Sequence, residues 1–269
     1  ALNSNDDVWR TDSGATIPHG YRILQSNVTL GQGTNTLDID IPAAQVSGSV
    51  TVDGSSLPQT SPSGHELNFW LKATDTGKLH GLYDIEYGYQ SGSPDYVLAD
   101  PTSYTTLVPA GTYDVIYSRA LNSNDDVWRT DSGATIPHGY RIVQSDVTLG
   151  QGTNTLDIDI PAAQMSKTVT LDGGSLPQTS ASGHELNFWL KATDTGKLHG
   201  LYDIEYGYQS GSPDYVLDDP PSFTTVVPDG TYNVVYSRAL NSNDDVWRSQ
   251  SGDTIPHGYR YLKMCVDVQ

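Results

Sequence analysis

Glu66-Leu67-Asn68-Phe69-Trp70-Leu71-Lys72-Ala73-Thr74 (ELNFWLKAT) alternates strictly, with Leu67, Phe69, Leu71 and Ala73 on one side and Glu66, Asn68, Trp70 and Lys72 on the other. A period of two is the signature of a strand with one buried face. The same nine letters return at Glu185–Thr193. Outward from this stretch the pattern persists. Ser49–Asp53 (SVTVD), Lys78–Gln90 (KLHGLYDIEYGYQ), Ser103–Val108, Thr112–Arg119 (TYDVIYSR), Tyr140–Leu149 and Thr155–Ile160 (TLDIDI) all read as short strands. Gly, Pro, Asn, Asp and Ser cluster between them, as turns require. No apolar residues recur at i, i+3, i+4, i+7 over a helical length. The expectation is an all-β chain of tandem antiparallel β-sandwich modules, each with about seven strands.

The chain repeats itself. ALNSNDDVWR begins at Ala1, Ala120 and Ala239, a period of 119 residues. Residues 1–45 differ from 120–164 at two positions, Leu24/Val143 and Asn27/Asp146, and residues 46–119 differ from 165–238 at thirteen. One phasing makes 46–164 a complete sandwich repeat. Residues 1–45 are then the C-terminal part of a repeat, and 165–269 a repeat with an altered or missing last strand. After Arg260, Tyr261–Val268 (YLKMCVDV) replaces IVQSDVTL, and TNTLDIDIPAAQ does not return. This phasing predicts that residues 34–41 of one chain complete the last unit of another, head to tail. A fragment boundary, or a phase running 1–119 and 120–238, is the competing reading.

Composition excludes some partners. Asp and Glu number 32 against 14 Lys and Arg, a net charge of −18, which repels phosphate backbones and anionic lipid. Nucleic acid is therefore an unsuitable partner, and no apolar run approaches the roughly 20 residues of a membrane-inserted helix. Seventeen Tyr and five Trp against three Phe favour half-exposed sheets. The single cysteine, Cys265, excludes an internal disulfide and reads as a small apolar residue on a strand, with an intermolecular bridge as the alternative.

The turn-and-strand stretches carry a resemblance. Ser47–Gly54 (SGSVTVDG) followed by Leu57-Pro58 resembles the opening of prealbumin-like modules, a group that includes carboxypeptidase regulatory-like repeats and the stalk domains of collagen adhesins. The pattern V-P-x-G-x-Y-x-V at Val108–Val115 and Val227–Val234 is its second element. The resemblance covers the ends and middle of each module, not residues 66–104, and departs where Gly48 becomes Lys167. It implies a seven-strand, Ig-like or prealbumin-like sandwich used as an extracellular or cell-surface spacer or adhesive repeat. Some of these relatives cross-link a core Lys to an Asn. Lys72 with Asn68 is the candidate here, but alternation points both outward.

Candidate site residues fall in two groups. Asn122, Asn124, Asp125, Asp126 and Asp131 place several oxygen donors on one loop. Asn3, Asn5, Asp6, Asp7 and Asp12 repeat them in the first copy, and Asn241, Asn243, Asp244 and Asp245 in the third. A Ca²⁺ site and a solvated Asx-turn loop both fit, and the spacing is not that of an EF-hand. Trp70 and Trp189, on the polar side of their strand, suit either a sugar-stacking platform or a module interface. Asp157 and Asp159, like Asp38 and Asp40, read as a solvated outer face that discourages edge pairing. His65-Glu66 and His184-Glu185 lack the second His of a zinc-protease helix, and His80 and His138 read as hydrogen-bonded turn residues. No nucleophile elbow or phosphate loop is present. The expected function is a non-enzymatic structural repeat of a stalk, adhesin or filament, with a multivalent carbohydrate- or ligand-binding module as the alternative.

Overall fold

The computed structural model describes residues 17–61, 65–119, 136–181, 184–238, 255–256 and 258–269. Every regular element among them is a strand. The chain forms two compact units, the first drawn mainly from residues 17–60, 65–119 and 142–160 and the second from 136–141 and 161–269.

The first unit contains β1 (Ala43–Val52), β2 (Ser55–Ser56), β3 (Thr60–Ser61), β4 (His65–Ala73), β5 (Leu79–Gly88), β6 (Tyr96–Leu98), β7 (Ser103–Pro109), β8 (Gly111–Arg119), β9 (Tyr140–Leu149), β10 (Gly152–Thr155) and β11 (Ile158–Ile160). Six of these form one sheet in the order β3-β6-β5-β4-β8-β9. The others gather around β1, which pairs with β2 and β7 antiparallel and with β10 and β11 in parallel. Leu67, Phe69, Leu71 and Ala73 of β4 are buried, as alternation requires, together with Ile85, Tyr87, Val108, Tyr113 and Val115. Each fully buried Leu, Ile or Phe contributes roughly 1.5–3 kcal/mol of transfer free energy.

The second unit contains β12 (Ala162–Thr168), β13 (Thr179–Ser180), β14 (His184–Ala192), β15 (Leu198–Gly207), β16 (Tyr215–Leu217), β17 (Ser222–Pro228), β18 (Gly230–Arg238) and β19 (Tyr259–Val268). Its six-stranded sheet, β13-β16-β15-β14-β18-β19, repeats that of the first unit strand for strand. The ladder of β12 with β17, from Ala162 opposite Pro228 to Thr168 opposite Ser222, repeats the register of β1 with β7 shifted by 119 residues. Leu186, Phe188, Leu190 and Ala192 share one core with Ile204, Tyr206, Val227 and Tyr232.

Three expectations need correction. Strands are more numerous than seven per unit, because short strands such as β2, β3 and β6 join the expected ones, and the strand expected over 49–53 extends back to Ala43. The last segment, expected as one strand over 155–160, is broken at Leu156-Asp157 into β10 and β11. It also runs parallel to β1. Nearly the whole unit lies between β1 and β10, so no tight hairpin dictates an antiparallel pairing.

Candidate functional site

The element that closes the first unit is the parallel seam. β1 registers with β10 from Ala44 opposite Gly152 to Ser47 opposite Thr155, and with β11 from Val50 opposite Ile158 to Val52 opposite Ile160. At the break between them, Leu156 N donates to Ser47 O (2.9 Å) and the buried Tyr104 hydroxyl donates to Leu156 O (2.6 Å). Burial holds the Tyr104 phenol protonated far above its usual range, with Asp157 nearby adding to the shift. Gly48 has a steric cause: a Cβ there would lie 1.8 Å from Leu156 O. Only a residue without a side chain lets the last strand come this close.

Asp157 and Asp159 form the exposed outer face that alternation predicts, but instead of discouraging pairing they hold it. Asp157 Oδ1 accepts from Ser49 N and Ser49 Oγ, both at 2.9 Å. Asp159 Oδ1 accepts from Thr51 Oγ1 (2.7 Å) and Gly54 N (2.8 Å). They latch the seam from its wet side while Leu156, Ile158 and Ile160 fill its dry side, at 5%, 0% and 0% exposure. The identical letters at Leu37, Ile39 and Ile41 sit in no strand and are 46%, 61% and 50% exposed.

A second arrangement appears in both units. Arg22 lies with its guanidinium 4.9 Å from the Tyr113 ring centroid, donates to Thr112 O (3.0 Å) and pairs with Asp75 (3.2 Å). Arg141 does the same with Tyr232 (4.9 Å), Thr231 O (3.3 Å) and Asp194 (3.0 Å). The glycine of the V-P-x-G-x-Y pattern is explained here, since a Cβ at Gly111 or Gly230 would overlap the guanidinium. Behind each tyrosine is an imidazole edge-on to its ring, His80 at 5.2 Å and His199 at 5.4 Å. Burial, then the nearby Arg22 guanidinium and the His19 imidazole, lowers the His80 pKa to about 4; burial, then Arg141, lowers that of His199 to about 3. The cluster clamps a preceding segment onto the sheet: His19 N donates to Leu107 O in the first unit and His138 N to Val226 O in the second.

The sequence-derived candidates are dispersed. Trp70 and Trp189 are 5% and 3% exposed, not outward platforms, because the central strands β4 and β14 are buried on both faces. The register partners of Trp70 are Gly81 and Ile116. Asn68 is likewise buried, which corrects its outward placement. His80 is on β5, buried and without a hydrogen-bond partner for either ring nitrogen among the described residues, not a bonded turn residue. His65 stacks on Tyr87 at 4.7 Å, and its Nδ1 lies 3.0 Å from Arg119 Nη2. The Asn and Asp loops, Asn3–Asp12, Asn122–Asp131 and Asn241–Asp245, lie outside the described residues. Among the described residues no three His, Cys, Asp or Glu side chains are gathered to hold a metal.

Alternation places Tyr89 on one face with Tyr83, Ile85 and Tyr87, but β5 ends at Gly88, and Tyr89, like its counterpart Tyr208, leaves that face. Each is 74% exposed just beyond its strand, edge-on to Tyr96 or Tyr215 at 6.3 Å. The glycine turns that follow, at Gly92 and Gly211, were the available signal that the strand face had ended.

No protein-family model matches the chain, and no curated protein matches it. Among solved structures, a leucine-rich repeat protein from Bacteroides thetaiotaomicron VPI-5482 is similar over 84% of this chain and 24% of its own, with 13% identity and a TM-score of 0.23. The Bacillus anthracis TIE protein is similar over 85% of this chain and 33% of its own, with 11% identity and a TM-score of 0.24. The chain spans about a quarter to a third of the length of these proteins.

Proposed function

We propose that this chain is a non-enzymatic structural repeat, a segment of an extracellular or cell-surface stalk, adhesin or filament built of tandem β-sandwich repeats that associate head to tail. The observation that supports it is the duplication of architecture from one unit to the next. Register, arginine clamp and buried imidazole recur every 119 residues, and each is occupied in holding strands together. A spacer needs many equivalent bodies that fold within themselves, and sequential units of this kind add length without new chemistry. The test is single-molecule extension of the full chain. Two resisted unfolding events are expected, each releasing a contour of roughly 400 Å, one period of extended backbone. A single event, or extension without resistance, removes the modular spacer. The Asn122–Asp131 loop and its copies would add a calcium dependence to this role. A melting scan with and without chelator reads it as a shift of several degrees, and an unchanged transition takes calcium out of the proposal.

The exposed Tyr89 and Tyr208, each edge-on to a half-buried tyrosine, favour a second reading, a multivalent carbohydrate-binding module. Tyr89 with Tyr96 and Tyr208 with Tyr215 present the same ring arrangement once per unit, so weak stacking at each would combine into avidity. Glycan-array binding that is lost in a Tyr89→Ala/Tyr208→Ala chain supports it; a blank array for the parent chain rejects it.

A further inference from the structure

We infer that the segment 19–22, with its copy 138–141, is an acid-released clasp, opened by protonation of the imidazole beneath it while the sheets stay folded. The segment is held from both ends. In the first unit His19 N donates to Leu107 O of β7 (3.1 Å), Thr76 Oγ1 donates to Tyr21 O (3.4 Å), and Arg22 reaches Thr112 O and Asp75. In the second, His138 N donates to Val226 O of β17 (3.0 Å), Thr195 Oγ1 donates to Tyr140 O (3.4 Å), and Arg141 reaches Thr231 O and Asp194. Between these anchors a glycine lies on the buried histidine. A Cβ on Gly20 would stand 3.2 Å from both Cε1 and Nε2 of His80 and 3.0 Å from Pro109 Cδ. A Cβ on Gly139 would stand 3.3 Å from the same two atoms of His199 and 3.0 Å from Pro228 Cδ. The backbone of the segment therefore covers the ring edge that carries Nε2.

His80 and His199 are 1% and 2% exposed, and neither nitrogen of either ring has a hydrogen-bond partner among the described residues. A neutral imidazole tolerates this at some cost. An imidazolium would bury two unbonded N–H donors and a charge. The surroundings offer it no counter-charge. Facing His80 are the Tyr113 ring of β8, edge-on at 5.2 Å, with Arg22 and His19 of the segment, and Asp75 is engaged by Arg22. Facing His199 are the Tyr232 ring of β18 at 5.4 Å and Arg141, with Asp194 engaged by Arg141, Asp229 near Tyr232, and His138 on the segment. Lifting the segment removes both obstacles at once: it withdraws the arginine and admits water to Nε2. Residues 17–20 and 136–139, the part over the ring, belong to no strand, so their release breaks no ladder. Proton uptake and opening are therefore linked. The uncovered imidazole takes its proton near pH 6.5, the covered one only at about 4 in the first unit and about 3 in the second. Above pH 6.5 the clasp is shut, and opening gains as pH falls below it.

The experiment is amide hydrogen exchange on the full chain, corrected for the intrinsic pH dependence of exchange. Protection of the His19 and His138 amides is expected to fall roughly fiftyfold between pH 7 and pH 4.5. The Leu71 and Leu190 amides of β4 and β14 should lose far less. Equal loss at all four, or none at His19 and His138, overturns the inference. His80→Leu is read against the untouched second unit of the same molecule. His19 should then keep its protection at pH 4.5 while His138 loses it as in the parent chain; loss at both refutes the role of the imidazole. Asp75→Asn tests the rival acid sensor. It should loosen the clasp at every pH and leave the fiftyfold change intact, and a vanished pH dependence assigns release to the carboxylate instead. Should His80→Leu fail to fold, the parent's own His80 ring-proton titration decides. A ring that takes its proton in step with the opening at His19 supports the clasp, and a ring that stays neutral while His19 opens refutes it.

Discussion

His80 and His199 show how much one side chain's setting departs from its letter. Each sits inside its sheet with neither ring nitrogen bonded among the described residues, and burial suppresses its charged form. Above about pH 6.5 the imidazole is neutral folded or unfolded, and protonation does not bear on stability. Below that, the unfolded chain takes up protons that the folded chain refuses until about pH 4 at His80 and about pH 3 at His199. Stability therefore falls with pH through this window, at no more than ~1.4 kcal/mol per pH unit per imidazole. A His80→Leu/His199→Leu chain should show a flatter denaturation midpoint between pH 6.5 and 4; an unaltered slope would show that other groups carry the acid sensitivity. Cys265 offers a second prediction. It has a φ of 52°, as do its counterparts Asn27 at 56° and Asp146 at 55°, and its N–H donates to Asn233 Oδ1 just as Asp146 N donates to Asp114. Left-handed backbone suits Asn better than Cys. Cys265→Asn is expected to raise stability by about 0.5–1 kcal/mol in urea unfolding under reducing conditions, and a loss would contradict the assignment.

The seam is the element on which closure of the first unit depends. Its dry side is hydrophobic burial of Leu156, Ile158 and Ile160, while its wet side is the pair Asp157 and Asp159 bonded to β1 and the turn after it. Asp157→Ala and Asp159→Ala should each cost roughly 0.5–1.5 kcal/mol, the worth of the bonds they accept. Their signature is faster hydrogen exchange in β11 with β4 and β5 unchanged; uniform loss across the unit would assign them to global stability. Alternation marked TLDIDI as strand and marked the aspartates as wet. It could not reveal that those aspartates meet Ser49, Thr51 and Gly54, more than a hundred residues away in sequence.

For the chain as a whole, the two units are near-copies with unequal edges. Amides of Ala163–Thr168 that point away from β17 are expected to exchange faster than those of Ala44–Ser47 that point away from β7, because among the described residues only the latter have a strand over them. Equal protection would mean that the β12 edge is covered. The amino-acid sequence by itself determined the all-β class, the 119-residue period, the buried face of ELNFWLKAT and most strand positions. These follow from local periodicity and turn chemistry, which need no knowledge of distant residues. Only the tertiary structure decided the parallel direction of the closing strand, the burial of Trp70 and Trp189 on a strand covered from both sides, and the cause of Gly48 and Gly111. Those depend on which backbone or side chain, a whole unit away in sequence, approaches within contact distance, and a strand's own letters do not say what lies across from it.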